Sequence, residues 1–185
     1  MGFTGPNGFL DLSTRFVNLN ESDPINVEIH IIIEEYNSPD ELPAEEQHLI
    51  EKAIATARDA YAPYSEFRVG ACLLLEDGTF VAGNNQENAA YPDGLCAERV
   101  AMFAANAQHP ESPVKKMAIA AVYQDKLIDQ PVYPCGSCRQ ALLESENRFK
   151  RPTRILMYGR RGILAANSIK DLLPLSFDRT FLRLT

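Results

Sequence analysis

The sequence predicts an α/β fold, a three-layer α/β/α sandwich built on a mixed β-sheet, and three observations carry that expectation. Short apolar runs alternate with helical stretches along the chain's second half, which argues for helices on both faces of a sheet. Asp77-Gly78 between two apolar runs is a strong hairpin signal, so at least one strand pair is antiparallel. The chain has 185 residues, 45% of them hydrophobic and 23% charged, enough for one real core and a modest extension.

Residues 1–24 are rich in Gly, Asn, Ser and Asp, show no sustained period, and read as a loose arm. Ile25, Val27, Ile29, Ile31 and Ile33 alternate with other residues at period two, predicting a half-buried strand at a sheet edge that the turn-rich Asn37-Ser-Pro-Asp40 ends. Residues 1–45 are thus read as an N-terminal extension, an arm plus an edge strand, before a domain spanning 46–185. From residue 43 to 61, Leu49, Ile50, Ala53, Ile54 and Ala57 fall on one helical face, with acids in the early turns where the dipole favours them. Strands are expected at 67–75 and 80–83, flanking the hairpin turn. A Gly/Pro/Asn-rich loop leads to a helix at 96–108, an apolar strand at 117–123, a Pro-containing loop to residue 134, and a helix at 135–146. A strand at 154–158, a turn at Arg160-Arg-Gly162, a short return at 163–166 and a terminal helix at 169–173 complete the chain.

Lys plus Arg total 18 and Asp plus Glu 25, a net charge of -7 that repels phosphate backbones and makes a polynucleotide a poor partner. The basic residues Arg148, Lys150, Arg151, Arg154, Arg160 and Arg161 read as a solvated face or a subunit contact. No apolar run reaches the roughly 18–20 residues of a membrane helix, and the first residues lack a signal-peptide pattern, so a cytoplasmic protein without membrane contact is expected. In that reducing compartment, clustered thiols point to metal ligation or catalysis.

Cys96 and Glu98 open one predicted helix, and Cys135 and Cys138 open another as Pro-Cys-Gly-Ser-Cys. Helix N-termini stabilise thiolates through unpaired N–H groups and the dipole. Three thiolates from two helix starts suit a tetrahedral zinc with its fourth position open, the arrangement of a catalytic site. A closed structural site needs a fourth ligand, and the candidates are poor: Cys72 sits mid-strand in an apolar run, and His30, His48 and His109 lie at no ligand spacing. Glu98, in the first turn, is placed to reach the open position as a proton shuttle. Three thiolates and Zn²⁺ sum to about -1, and the neighbouring Arg99 can offset that charge by hydrogen-bonding a thiolate.

Four motifs in register give these residues a family. The runs Tyr61-Ala-Pro-Tyr-Ser-Glu-Phe-Arg-Val-Gly70, Asn85-Gln-Glu-Asn-Ala-Ala-Tyr-Pro-Asp-Gly-Leu-Cys-Ala-Glu-Arg99, Pro134-Cys-Gly-Ser-Cys-Arg-Gln140 and Leu172-Leu-Pro-Leu-Ser-Phe177 resemble the cytidine deaminase family, in its short, homotetrameric, three-cysteine zinc form. The resemblance runs over roughly residues 46 to 185. It implies one zinc per chain on Cys96, Cys135 and Cys138, and hydrolytic deamination of cytidine and 2′-deoxycytidine in pyrimidine salvage. Glu98 would carry a proton from water to N3 of the pyrimidine and then to the leaving amine.

The same resemblance implies the substrate contacts. Asn85 and Glu87, read as two apart on one strand face, would hold the ribose hydroxyls, and a solvated strand end is the alternative. Phe67 would flank the pyrimidine, or else be a core aromatic. The backbone around Ala97 and Cys135 would read the amino group. Tyr91 and Phe177 would complete a neighbouring subunit's pocket, Phe177 by stacking on the base, against the alternative of an ordinary C-terminal core Phe. The expected partners are a small nucleoside and further copies of the chain. Different substrates in the same class, such as another aminopyrimidine nucleoside, and a non-catalytic zinc-binding protein are the competing functions.

Overall fold

The computed structural model describes residues 26–182, of which those from Ile31 onward belong to one compact unit. Its centre is a mixed sheet of β1 (Ile33–Tyr36), β2 (Phe67–Leu75), β3 (Phe80–Asn84), β4 (Val114–Tyr123), β5 (Lys126–Leu127), β6 (Arg154–Gly159) and β7 (Gly162–Ala166). The order is β1-β7-β6-β4-β2-β3, with β5 on β4. Among the described strands, β4 and β6 run parallel and the other pairs are antiparallel. Three helices pack on it: α1 (Ala44–Arg58), α2 (Ala97–Gln108) and α3 (Gly136–Phe149).

The two-residue period of the strands creates the three layers. Ala71, Leu73 and Leu75 of β2, Met117 and Ile119 of β4, and Ile155 and Met157 of β6 face one core with Ala101 and Met102 of α2 and Leu142 and Leu143 of α3. Their neighbours Cys72, Leu74, Ala118, Ala120 and Leu156 face the other core with Leu49, Ile50 and Ala53 of α1. Both faces of the central strands are dry, as the expected sandwich requires. Cys72 is fully buried there, and burial pushes its thiol up to about 11, consistent with an inert core residue.

Two glycines set how closely the helices approach. A Cβ on Gly70 would lie 2.1 Å from the Ala53 carbonyl oxygen of α1, and one on Gly83 would lie 2.4 Å from the Ala101 nitrogen of α2. The missing side chains let backbone rest on backbone from opposite sides of the β2–β3 pair.

The edge strand differs from its expected extent. Ile25 lies outside the described residues, residues 26–32 form no strand, and Val27, Ile29, Ile31 and Ile32 are exposed. Pairing starts only at Ile33, because β7 offers five residues and its ladder with β1 closes from Ile33 opposite Ala166 to Tyr36 opposite Ile163. An alternating pattern forms a strand only where a partner strand reaches it. The terminal helix expected at 169–173 is a single 3₁₀ turn, Ile169–Asp171, since Pro174 disfavours helical backbone at Leu173. The loop before Pro134 contains β5, reached through a turn whose Gln124 and Asp125 both have positive φ, 48° and 60°. That conformation suits a tight hairpin without the Asn-Gly signature.

Arg154 is not part of a solvated basic face. It is largely buried, with Nη2 2.8 Å from Glu34, Nε 3.2 Å from Glu46 and Nη2 donating to the Tyr36 hydroxyl at 3.0 Å. It joins β1, α1 and β6. Arg151 pairs with Glu76, and Arg160 and Arg161 share the one carboxylate of Asp129, so the set is only partly neutralised. Among the described residues no helix is long and apolar enough to cross a membrane.

Candidate active site

The thiols gather where α2 and α3 begin. Cys96 is the N-cap of α2 and Cys135 that of α3, neither capping with its side chain, while Cys138 lies in the first turn of α3 and is fully buried. Cys96 Sγ is 3.9 Å from Cys135 Sγ, Cys135 Sγ is 3.4 Å from Cys138 Sγ, and all three sulfurs lie within 4.8 Å of one another. Ligands about 2.3 Å from a tetrahedral zinc lie about 3.8 Å apart, so the cluster fits that ion. Among the described residues no His or carboxylate joins the group. Three protein ligands leave one position for water or substrate.

The charges around the thiols are arranged for that chemistry. Arg99 Nη2 donates to Cys96 Sγ at 3.7 Å, and its Nε is buried without a partner. The Cys96 thiol is pulled down to about 5 by a hydrogen bond from Cys138 and then by Arg99, and the Cys138 thiol is pushed up. Glu98 is 4% exposed, and burial, with the neighbouring Cys96 charge adding to it, raises its carboxyl above the usual range. A carboxyl shifted this way is suited to taking and returning a proton near neutral pH.

A cavity of about 490 Å³ opens beside Cys96 and Arg99, with Ser65, Asn85, Glu87 and Tyr91 on its walls. Its far wall is a braced loop. β3 ends at Asn84, so Asn85 and Glu87 lie beyond the strand and do not share a strand face as expected. Instead each leans on a different backbone. Asn85 Oδ1 accepts the Val69 N–H at 2.7 Å and its Nδ2 donates to the Phe67 carbonyl at 3.0 Å. Glu87 Oε2 accepts the Tyr64 and Ser65 N–H groups at 2.8 and 3.3 Å, and Oε1 accepts the Ser65 hydroxyl at 2.5 Å. These bonds, that from the Ser65 hydroxyl foremost, hold the Glu87 carboxyl below its ordinary range. Gln86 and Leu95 exchange backbone hydrogen bonds, both 2.9 Å, which pinches off the intervening loop and delivers Cys96 to the cavity.

The sequence and the fold are matched by known proteins. The family model described as the cytidine and deoxycytidylate deaminase zinc-binding region matches residues 43–151, which include all three clustered cysteines. The chain belongs to that family. Zinc is therefore the metal of this deaminase, and the thiol cluster is a group that could hold it. A cytidine deaminase of Halalkalibacterium halodurans is 40% identical over 131 residues, covering 71% of this chain and 92% of the relative. One of Sporosarcina psychrophila is 38% identical over 134 residues, covering 70% and 92%. The crystal structure of cytidine deaminase from Burkholderia pseudomallei superposes with a TM-score of 0.61 at 38% identity, over 70% of this chain and 97% of that one.

The remaining expected site residues of the deaminase fall in four places. Tyr91 stands at the cavity mouth, 78% exposed and edge-on to Tyr64 with ring centroids 6.3 Å apart. Ala97 is fully buried directly after Cys96, and Phe67 opens β2, partly buried and outside the cavity lining. Phe177 is 58% exposed, stacks on Phe181 at 5.5 Å, and does not line the cavity of its own chain. Sequence reasoning missed the residues that anchor the segment carrying Phe177. Arg139 donates to the carbonyls of Pro134 at 2.8 Å and Leu172 at 2.6 Å, and Gln140 Nε2 donates to the Phe177 carbonyl at 2.8 Å. They bind the C-terminal segment to the start of α3. Their position directly after Cys138 was the available signal.

Proposed function

We propose that this deaminase hydrolyses free cytidine and 2′-deoxycytidine to uridine and 2′-deoxyuridine with release of ammonia, in the cytoplasm, as a step of pyrimidine salvage. The observation that carries the reading is the cluster of three thiols with a buried carboxyl beside it and an open cavity in front. In this reading Cys96, Cys135 and Cys138 hold zinc and Arg99 offsets the excess thiolate charge. The ion, when bound, supplies Lewis acidity that makes water a competent nucleophile at neutral pH.

Every proton then moves through Glu98. Its carboxylate takes one from the attacking water and delivers it to N3 of the pyrimidine, which makes C4 electrophilic. It takes the second from the added hydroxyl and gives it to the departing amino group. One water enters, ammonia leaves, and Glu98 returns to its starting state. Asn85 and Glu87 orient the sugar, Phe67 flanks the base, and the backbone at Ala97 and Cys135 reads the exocyclic group.

The assembly proposed is a homotetramer with shared sites, in which Tyr91 and Phe177 reach a neighbour's cavity. Their exposure, and the anchoring of Phe177 away from its own cavity, support that role. Residues 1–45 are read as an extension to a catalytic domain at 46–185; the family match from residue 43 supports where the domain begins, while β1 packs into the same compact unit and α1 already starts at Ala44. No polynucleotide and no membrane is assigned as a partner, in keeping with the net charge of -7. The test is an absorbance assay for ammonia loss across cytidine, deoxycytidine, cytosine and a short oligonucleotide. Turnover of the two nucleosides is expected, and turnover confined to cytosine or to the oligonucleotide overturns the reading.

A further inference from the structure

Ser65 joins two sides of the cavity rim. Its hydroxyl donates to Glu87 Oε1 at 2.5 Å and accepts the Phe67 N–H at 3.0 Å, so one oxygen links the rim acid to the first residue of β2. Its backbone N–H, with that of Tyr64, binds the other carboxylate oxygen. A carboxylate offers about four lone-pair sites. Three are taken by protein donors, and the side chain cannot rotate without breaking all of them. What remains is a single acceptor site, fixed in direction, on a residue that lines the cavity. We propose that Ser65 is a positioning residue for sugar recognition: it holds Glu87 so that the carboxylate accepts one sugar hydroxyl and thereby distinguishes nucleosides by the hydroxyls on their ring.

The inference rests on the reading that Glu87 meets the sugar of a cytidine-like substrate. Replacing the hydroxyl with hydrogen frees a second acceptor site on Oε1, removes the link to Phe67 and lets water compete for the carboxylate. A hydrogen bond to a charged group is strong enough for its misplacement to cost about tenfold in kcat/KM. That loss should appear in KM and fall on substrates that own the hydroxyl.

The test compares wild type, Ser65→Ala and Ser65→Thr on cytidine and on 2′,3′-dideoxycytidine, together with the carbon-13 titration of the Glu87 carboxyl in the same zinc-loaded proteins. Ser65→Ala is expected to lose about tenfold in kcat/KM on cytidine, mostly through KM, and no more than about twofold on the dideoxynucleoside. The Glu87 titration should move upward. Ser65 is exposed, so a threonine methyl has room, and Ser65→Thr should restore both the preference and the titration. A Ser65→Ala protein that loses equally on both substrates, or whose Glu87 titrates as in wild type, overturns the proposal and leaves cytidine deamination standing. A wild-type protein that releases no ammonia from cytidine overturns both.

Discussion

The two halves of the site are built by different physics. The metal half stands on helix starts, with Cys138 and Glu98 buried, and its neighbours are fixed by the packing of α2 and α3 against the sheet. The proposed sugar half stands on loops, where Ser65 holds Glu87 and Asn85 grips the backbone of β2 by hydrogen bonds. Cys96 is half-buried and Cys135 exposed, so the proposed metal half runs from a buried floor to an open rim, and removing any of its groups is expected to abolish turnover. In the second, Ser65 is exposed and Asn85 and Glu87 half-buried, so each is expected to tune affinity, because water can stand in for a lost contact.

The sharpest way to break this contrast is to remove a ligand. Cys138→Ser should drop zinc from about one per chain toward none, with turnover falling below detection, as read by metal analysis and the ammonia assay. Retention of full zinc by the variant would contradict the ligand assignment. Glu98→Gln comes next. It should keep the fold and the metal and lose at least roughly a thousandfold in kcat, the scale of a proton carrier, measured on zinc-loaded protein. Substantial residual turnover would move the proton transfer elsewhere.

The same contrast explains what could be read from the chain alone. Cys96, Glu98, Cys135 and Cys138 are close in sequence in pairs, and helix geometry turns those short spacings into a site. The alternating strands likewise gave the sandwich away, because burial on two faces leaves apolar residues at successive positions. The sugar half is different. Ser65 and Glu87 are 22 positions apart and meet only because the chain turns back, so no period or spacing marks the bond. Asn85 was expected on a strand face and instead braces β2 from beyond the strand end. The edge strand was misjudged for a related reason. Its length is set by β7, a partner about 130 residues away, and not by its own alternation.

The layers themselves can be separated with smaller changes. Gly70→Ala and Gly83→Ala both force a methyl into helix backbone, and each should cost about 1–3 kcal/mol of stability, seen as a lower melting temperature. Their effects on turnover should differ. The Gly83 contacts are the Ala97 carbonyl and Ala101 nitrogen, the two sides of Glu98 in α2, whereas those of Gly70 are Ala53 and Ala57 in α1. Per zinc-loaded folded molecule, Gly83→Ala should therefore lose several-fold in kcat, and Gly70→Ala should lose little. Equal losses would mean that the site feels both faces of the sheet alike.

The smallest expected effect lies farthest from the thiols, at the β1 edge. Glu34 accepts from Arg154, Tyr36 and Asn167, and these bonds, Arg154 first, hold its carboxyl down to about 2. A carboxylate whose folded pKa is below its unfolded one contributes stability above the unfolded value, here 4.5, and loses it as pH falls toward 2. Glu34 is about one-third exposed, so solvent screening keeps that contribution small. Amide exchange along the β1–β7 ladder should accelerate across that pH window in wild type, beyond the change in intrinsic exchange. In Glu34→Gln the ladder should be weaker at neutral pH and nearly insensitive to acid. Turnover at neutral pH should be unchanged, because Glu34 touches none of the groups around the cavity. A Glu34→Gln protein with altered kcat would tie the edge strand to the catalytic half and erase the distinction between them.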